Sequence, residues 1–276
     1  MNDKRSARVV VVTSGKGGVG KTTSTAALGA ALAQRGDKVV VIDFDVGLRN
    51  LDLVMGAERR VVYDLINVMQ GDAKLNEALV RYTQLENLFL LPASQTRDKD
   101  ALTEDGLRRV VDEMRERFDW IICDSPAGIE RGATLAMRFA DIAIIVANAE
   151  VSSVRDSDRI IGLLDAKTER AEKGERLEKH LLLTRYDAGR VANGDMLNVD
   201  DVLQILAIPL LGIVPESEEV LCASNLGVPV TLHNPASDAA RAYADAAQRL
   251  CGVNLALNIP TDKKGLLGRL FGRRAA

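Results

Sequence analysis

The chain has 276 residues, of which 47% are hydrophobic and 4% aromatic, which excludes wholesale disorder and requires a core built from Val, Ile, Leu and Ala. Its formal net charge of -3 comes from 36 Lys+Arg against 39 Asp+Glu, but Lys263, Lys264, Arg269, Arg273 and Arg274 fall in the last fourteen residues without a single acid, which leaves residues 1–262 with 31 basic and 39 acidic groups. A body this acidic argues against general nucleic-acid binding, and three scattered cysteines (Cys123, Cys222 and Cys251) with no C-x-x-C pair argue against a disulfide framework or structural zinc.

In chain order, Arg8 to Thr13 reads as a buried strand, and Lys21 to Gln34 as an Ala/Leu-rich helix that Gly36 closes. Strands follow at Lys38 to Asp43, Leu88 to Leu91, Trp120 to Cys123, Ile142 to Val146, His180 to Leu183 and Leu210 to Val214. Helical spacing marks Leu102 to Phe118, Ser153 to Lys167 and Asp238 to Leu250. Continuous rather than alternating apolar runs point to parallel strands covered on both faces. The expected fold is therefore α/β: a doubly wound, mostly parallel sheet with helices on both faces. Residues 1–253 form the expected globular domain, 254–262 a linker and 263–276 a separate tail. The Val run after Arg8 is too short for a signal-peptide core, and no stretch reaches a membrane span; the expectation is a cytoplasmic protein.

Gly15-Lys16-Gly17-Gly18-Val19-Gly20-Lys21-Thr22 fits G-x-x-x-x-G-K-[ST] between an expected strand and an expected helix. Its glycines let backbone N–H groups face phosphate oxygens, and the helix start adds positive potential. Lys21 is the expected point charge between the outer phosphates, and Thr22 the hydroxyl for Mg²⁺; Thr23 completes the binding segment. Ligands of open α/β sheets sit beyond the carboxyl ends of the strands, where Asp43, Asp45 and Asp124 fall. An apolar strand ending in Asp124 is the Walker B pattern, which assigns it to Mg²⁺ through a water. Asp45 is expected to position the attacking water and Asp43 to support the metal site. The competing reading for all three is capping of helices or turns.

Lys16 to Thr23, Asp43 to Leu53, Arg59 to Asp64, Pro92 to Leu102, Cys123 to Glu130 and Glu150 to Ile160 together resemble the ParA/MinD family of deviant Walker A ATPases, in its septum-site-determining branch. The resemblance implies an ATP-promoted homodimer in which Lys16 of each chain reaches the partner's nucleotide, with Asp45 needed for hydrolysis. It matches Gly47 to Asp52 and Ile129 to Gly132 to switch regions. It further implies recruitment of the division inhibitor MinC and MinE-stimulated hydrolysis that releases the protein from the inner membrane, keeping division at midcell. Many relatives carry an Asn after the strand corresponding to His180 to Leu183; this chain has Thr184-Arg185-Tyr186. Arg185 is a candidate to stack on adenine and Pro215-Glu216 a candidate for backbone contacts. Asp156 and Asp158 are candidates for partner binding, or simply a solvated helical face.

On a helix, Leu266, Leu267, Leu270 and Phe271 of the tail fall within an arc of roughly 140°. Gly265, Gly268 and Gly272 lie opposite with Arg269, and Lys263 and Lys264 flank the stripe. This is the pattern of an interfacial helix for an anionic membrane. Four apolar side chains offer about 6–12 kcal/mol gross, and each base on the order of 1 kcal/mol. Three glycines oppose the helix by about 1 kcal/mol each. One tail is thus a marginal anchor, whereas two on a dimer gain roughly 10²–10⁴ in avidity. Two other readings of the sequence are a ParA-type DNA-segregation ATPase, opposed by the acidic body and apolar tail, and an iron–sulfur carrier of related fold, opposed by the cysteine spacing.

Overall fold

The computed structural model describes residues 7–97 and 99–261. Eight strands form one sheet: β1 (Arg8–Thr13), β2 (Val39–Asp43), β3 (Val80–Arg81), β4 (Leu88–Leu91), β5 (Trp120–Asp124), β6 (Ile142–Ala147), β7 (Glu178–Tyr186) and β8 (Leu210–Pro215). Their spatial order is β3-β4-β2-β5-β1-β6-β7-β8. Every pairing is parallel except β3 with β4. Seven strands lie where the apolar runs are. β3 is the exception, because two residues, Val80 and Arg81, carry no periodicity to detect.

The two faces explain the unbroken Val/Ile runs. Along β1, Val9 and Val11 enter one core with Val40, Ile42 and Ile121, whereas Val10 and Val12 enter the other with Val39, Val41 and Ile122. Each strand residue is therefore apolar whichever way its side chain points. Helix α1 (Lys21–Gln34) covers the second face with the helix Asp238–Leu250; the close backbone approach is visible at Gly29, where an added Cβ would lie 2.7 Å from Val41 Cγ1. The helices Glu104–Arg115 and Val151–Lys167 bury their apolar residues on the first face. Helices begin and end close to the expected limits; Val151–Lys167 starts two residues earlier than the spacing indicated.

Cys123 is buried in the first core and its thiol is pushed up to about 12 by burial, the behaviour of a small hydrophobe. Cys222 is exposed and Cys251 half-buried. Among the described residues no helix is long and apolar enough to cross a membrane. The tail positions Lys263, Lys264, Leu266, Leu267, Arg269, Leu270 and Phe271 lie outside the described residues.

Candidate nucleotide site

The strand order places β1 between β5 and β6, so the loop after Thr13 opens at the centre of the sheet's carboxyl end. Gly18 and Gly20 have φ of 75° and 96°, a left-handed backbone that L side chains resist. Gly20 is the cap of α1 in that conformation. Gly15 is required for a different reason: a Cβ there would sit 2.3 Å from the backbone oxygen of Asp156, so the loop is seated directly on the helix Val151–Lys167. Val19 is buried and its carbonyl accepts a 2.6 Å hydrogen bond from Thr184 Oγ1 at the end of β7. Thr22 and Thr23 are half-buried on the first turn of α1, and Gly17 is exposed beside them.

The two lysines of the loop have opposite environments. Lys21 is buried, with its ammonium donating to Ser14 Oγ at 3.0 Å. Burial lowers its pKa, while the carboxylates of Asp124 and Asp45 oppose that shift. Lys16 is exposed. Its Nζ donates to Ser152 Oγ at 3.2 Å and lies 3.7 Å from Glu150 Oε2, both at the start of the helix Val151–Lys167. Ser14 joins the two, since its hydroxyl also donates to the Lys16 carbonyl at 2.7 Å.

Asp43 and Asp124 face each other in register at the ends of β2 and β5. Burial and the neighbouring Asp43 charge push the Asp124 carboxyl up to about 8, against hydrogen bonds from Thr22 and Thr25 and the charge of Lys21. Asp43 is raised to about 6, mainly by burial. Its Oδ1 accepts from the Asp45 N–H at 2.8 Å, and its Oδ2 from those of Asn50 and Leu51, each at 3.1 Å. The expectation gave Asp43 a supporting place at the metal. Both of its oxygens also pin the Asp45 to Leu51 loop, while Asp124 is the carboxylate beside the Thr22 hydroxyl. A divalent cation fits there: two buried acids and a threonine surround a position whose negative charge is incompletely compensated.

The pinned loop carries Asp45, half-buried and at the site's edge. Its carbonyl accepts from the N–H groups of Leu48 and Arg49 at 3.1 and 2.9 Å. Gly47 and Arg49 take φ of 96° and 37°, and Arg49 Nε pairs with the buried Asp52 at 2.7 Å. A positive φ at arginine is strained. The loop is held by these hydrogen bonds, the ion pair and the buried side chains of Val46 and Leu51, while Leu48 at its tip is 69% exposed. The segment Ile129 to Gly132 adjoins it: Gly132 approaches the Phe44 carbonyl, and Ile129 is exposed.

Arg185 and Pro215 end β7 and β8 at the same end of the sheet. Tyr186 pairs with Pro215, and the Glu216 N–H donates to the Tyr186 carbonyl at 3.0 Å. Arg185 has φ 52° beside a register irregularity, and its side chain is exposed. The structure thus brings the loop, the acids and the base-side candidates to one rim. Asp156 joins them through its backbone, whereas Asp158 is exposed on the same helix. Sequence reasoning missed Ser14, Thr184, Glu150 and Ser152. Thr184 was legible only as the polar residue that ends an apolar strand; the others became relevant through long-range contacts.

Residues 10–230 match the model of the CobQ/CobB/MinD/ParA nucleotide binding domain. The septum site-determining protein MinD of Escherichia coli strain K12 is 61% identical over 269 residues, 96% of this chain and 99% of that one. Among solved structures, the Aquifex aeolicus MinC:MinD cell division protein complex aligns with a TM-score of 0.81 at 39% identity, covering 93% of this chain and 100% of that chain. Pyrococcus horikoshii MinD complexed with Mg-ADP aligns at 0.78 and 31%, covering 88% of this chain and 96% of the other. With this rim of phosphate loop and paired acids, and with that identity over nearly its whole length, the chain belongs to the CobQ/CobB/MinD/ParA nucleotide-binding family, on its MinD branch: an ATPase of septum-site determination.

Proposed function

We propose that this chain binds ATP with Mg²⁺, forms a homodimer on doing so, and uses the dimer to hold its paired tails on an anionic membrane. The observation that carries the reading is the contrast between its two loop lysines. Lys21 is buried against Ser14 within its own site, while Lys16 extends across the surface to Ser152. A lysine so placed is available to a second copy. The exposed apolar side chains of Leu48, Ile129 and Val151 on the same end of the molecule support a partner surface there.

In this reading the amides of Gly15 to Thr23 and the Lys21 ammonium bind the phosphates, and Thr22 with Asp124 holds the magnesium, Asp124 through a water. Bound Mg²⁺ supplies charge neutralisation to the β- and γ-phosphates. Asp45 orients the attacking water. Asp43 fixes the loop that carries Asp45, and Arg185 and Pro215 border the base. Lys16 from each protomer completes the partner's site, which makes hydrolysis conditional on dimerisation. Residues 1–253 are the ATPase domain, 254–262 the linker and 263–276 the membrane-targeting tail, with Lys263, Lys264, Leu266, Leu267, Arg269, Leu270 and Phe271 meeting the lipid.

The E. coli relative determines septum sites, and the Aquifex relative forms a complex with MinC. We assign the same partner to this chain: the membrane-bound dimer recruits MinC, and MinE triggers hydrolysis and release. Its location is then the cytoplasm, and peripherally the cytoplasmic face of the inner membrane. The test is Lys16→Ala. Equilibrium titration with a fluorescent ATP analogue should show nucleotide affinity within about threefold of the parent, while analytical ultracentrifugation with ATP shows monomer only. A stable ATP dimer of the variant would refute the cross-subunit role.

A further inference from the structure

The helix Asp238–Leu250 runs down to the amino end of the sheet, where the Leu250 carbonyl accepts from Arg8 Nη1 at 3.3 Å. The chain then reverses at Gly252, with φ 85°. Residues 255–261 return along the outer edge of β8. Leu257, Ile259 and Pro260 line a groove of about 830 Å³ together with Ile213 and Pro215 of the carboxyl half of β8. The returning segment thus ends beside the rim that carries the nucleotide site.

Packing does not hold it there. Of residues 252–261 only Leu255 and Pro260 are even half-buried, and Leu257 and Ile259 are 42% and 49% exposed. What holds it is one guanidinium. Arg249 donates from Nη1 to the Leu211 carbonyl of β8 at 2.9 Å, from Nε to the Leu255 carbonyl at 3.1 Å and from Nη2 to the Ala256 carbonyl at 2.7 Å. The rigid fork of donors lets a single side chain bridge the sheet edge and the returning segment. A lysine, with one point of charge, cannot reproduce that span.

We infer that Arg249 is a mooring residue: it ties the returning segment to β8 at Leu255 and Ala256, and the length of chain left beyond that tie sets how strongly the ATP dimer binds membrane. The inference rests on the membrane role proposed for the tail. Its physical basis is effective concentration. With the moor in place the chain is tied as far as Ala256, six residues before Lys263 is reached; without it the ten residues 253–262 separate Gly252 from Lys263. Effective concentration falls roughly as the −3/2 power of tether length or faster. A ratio of ten to six then corresponds to a loss of about twofold in vesicle affinity.

The test uses the full chain with ATP and vesicles of phosphatidylglycerol and phosphatidylethanolamine, read as the lipid concentration at half-sedimentation. Arg249→Gln should raise that concentration about twofold and Arg249→Lys by less. ATP turnover and dimerisation without vesicles should be unchanged. Amide hydrogen exchange across 255–261 should speed up at least tenfold in Arg249→Gln. A second variant keeps Arg249 and inserts four Gly/Ser residues between positions 261 and 262; it should lose vesicle affinity to the same extent. Faster exchange with an unchanged vesicle curve, unchanged exchange, or an insertion variant that binds like the parent would each overturn the mooring. A chain lacking 263–276 separates the two levels of the argument: if it still sediments with vesicles, the membrane reading of the tail itself fails.

Discussion

Replacing Asp124 by Asn should stabilise the nucleotide-free protein while abolishing its magnesium-dependent turnover. Asp124 is 3% exposed, and its carboxyl is raised from 3.8 to about 8 by burial and by Asp43. An acid whose folded pKa lies above its unfolded value binds more protons in the native state, so stability falls as pH rises between those two values, here from about 4 to about 8. At pH 7 that interval corresponds to about 4 kcal/mol at 1.36 kcal/mol per pH unit. Asn carries no such proton equilibrium. Its amide must still find partners beside Thr25, so the net gain should be about 2–4 kcal/mol, or roughly 5–15 °C in melting temperature for a chain of this size. The assay is thermal unfolding in EDTA, without nucleotide, at pH 6 and pH 8. The parent should melt lower at pH 8 than at pH 6, and Asp124→Asn should be both higher and much less pH-dependent. A variant no more stable than the parent at pH 8 would refute the view that this site stores uncompensated charge for a cation.

Two further substitutions address the loops around the site. Asp45→Ala should bind ATP and dimerise but hydrolyse on the order of 10²-fold more slowly; phosphate release at the parental rate would remove Asp45 from the chemistry. Gly15→Ala forces a Cβ to within 2.3 Å of the Asp156 carbonyl, and backbone cannot yield cheaply. It should weaken nucleotide binding at least tenfold and cost about 3 kcal/mol in urea unfolding, and parental values in both would contradict the seating of the loop on that helix.

Much of this arrangement was legible in the chain because it depends on local patterns. The Val runs of β1 and β2 announce strands covered on both faces, and Gly18, Gly20, Lys21 and Thr22 announce a phosphate loop by spacing alone. Asp124 was legible as the polar end of an apolar strand. Asp43 was legible in the same way, but only the folded loop shows its two oxygens accepting from N–H groups two, seven and eight residues ahead. Ser152 and Glu150 became relevant only when the sheet brought them beside Lys16, and Thr184 when β7 delivered it to Val19. Arg249 gave no sequence signal at all, since a basic residue in the last turn of a helix is ordinarily a dipole partner. Two of its three carbonyl acceptors, those of Leu255 and Ala256, are set by the chain reversal at Gly252.

If nucleotide controls membrane attachment by pairing the tails, vesicle co-sedimentation with ATP and with ADP side by side will show it. The full chain should sediment with anionic vesicles in ATP and stay in solution in ADP, and removing residues 263–276 should abolish sedimentation while the ATP dimer persists. Equal sedimentation in the two nucleotides, or sedimentation of the truncated chain, would contradict it.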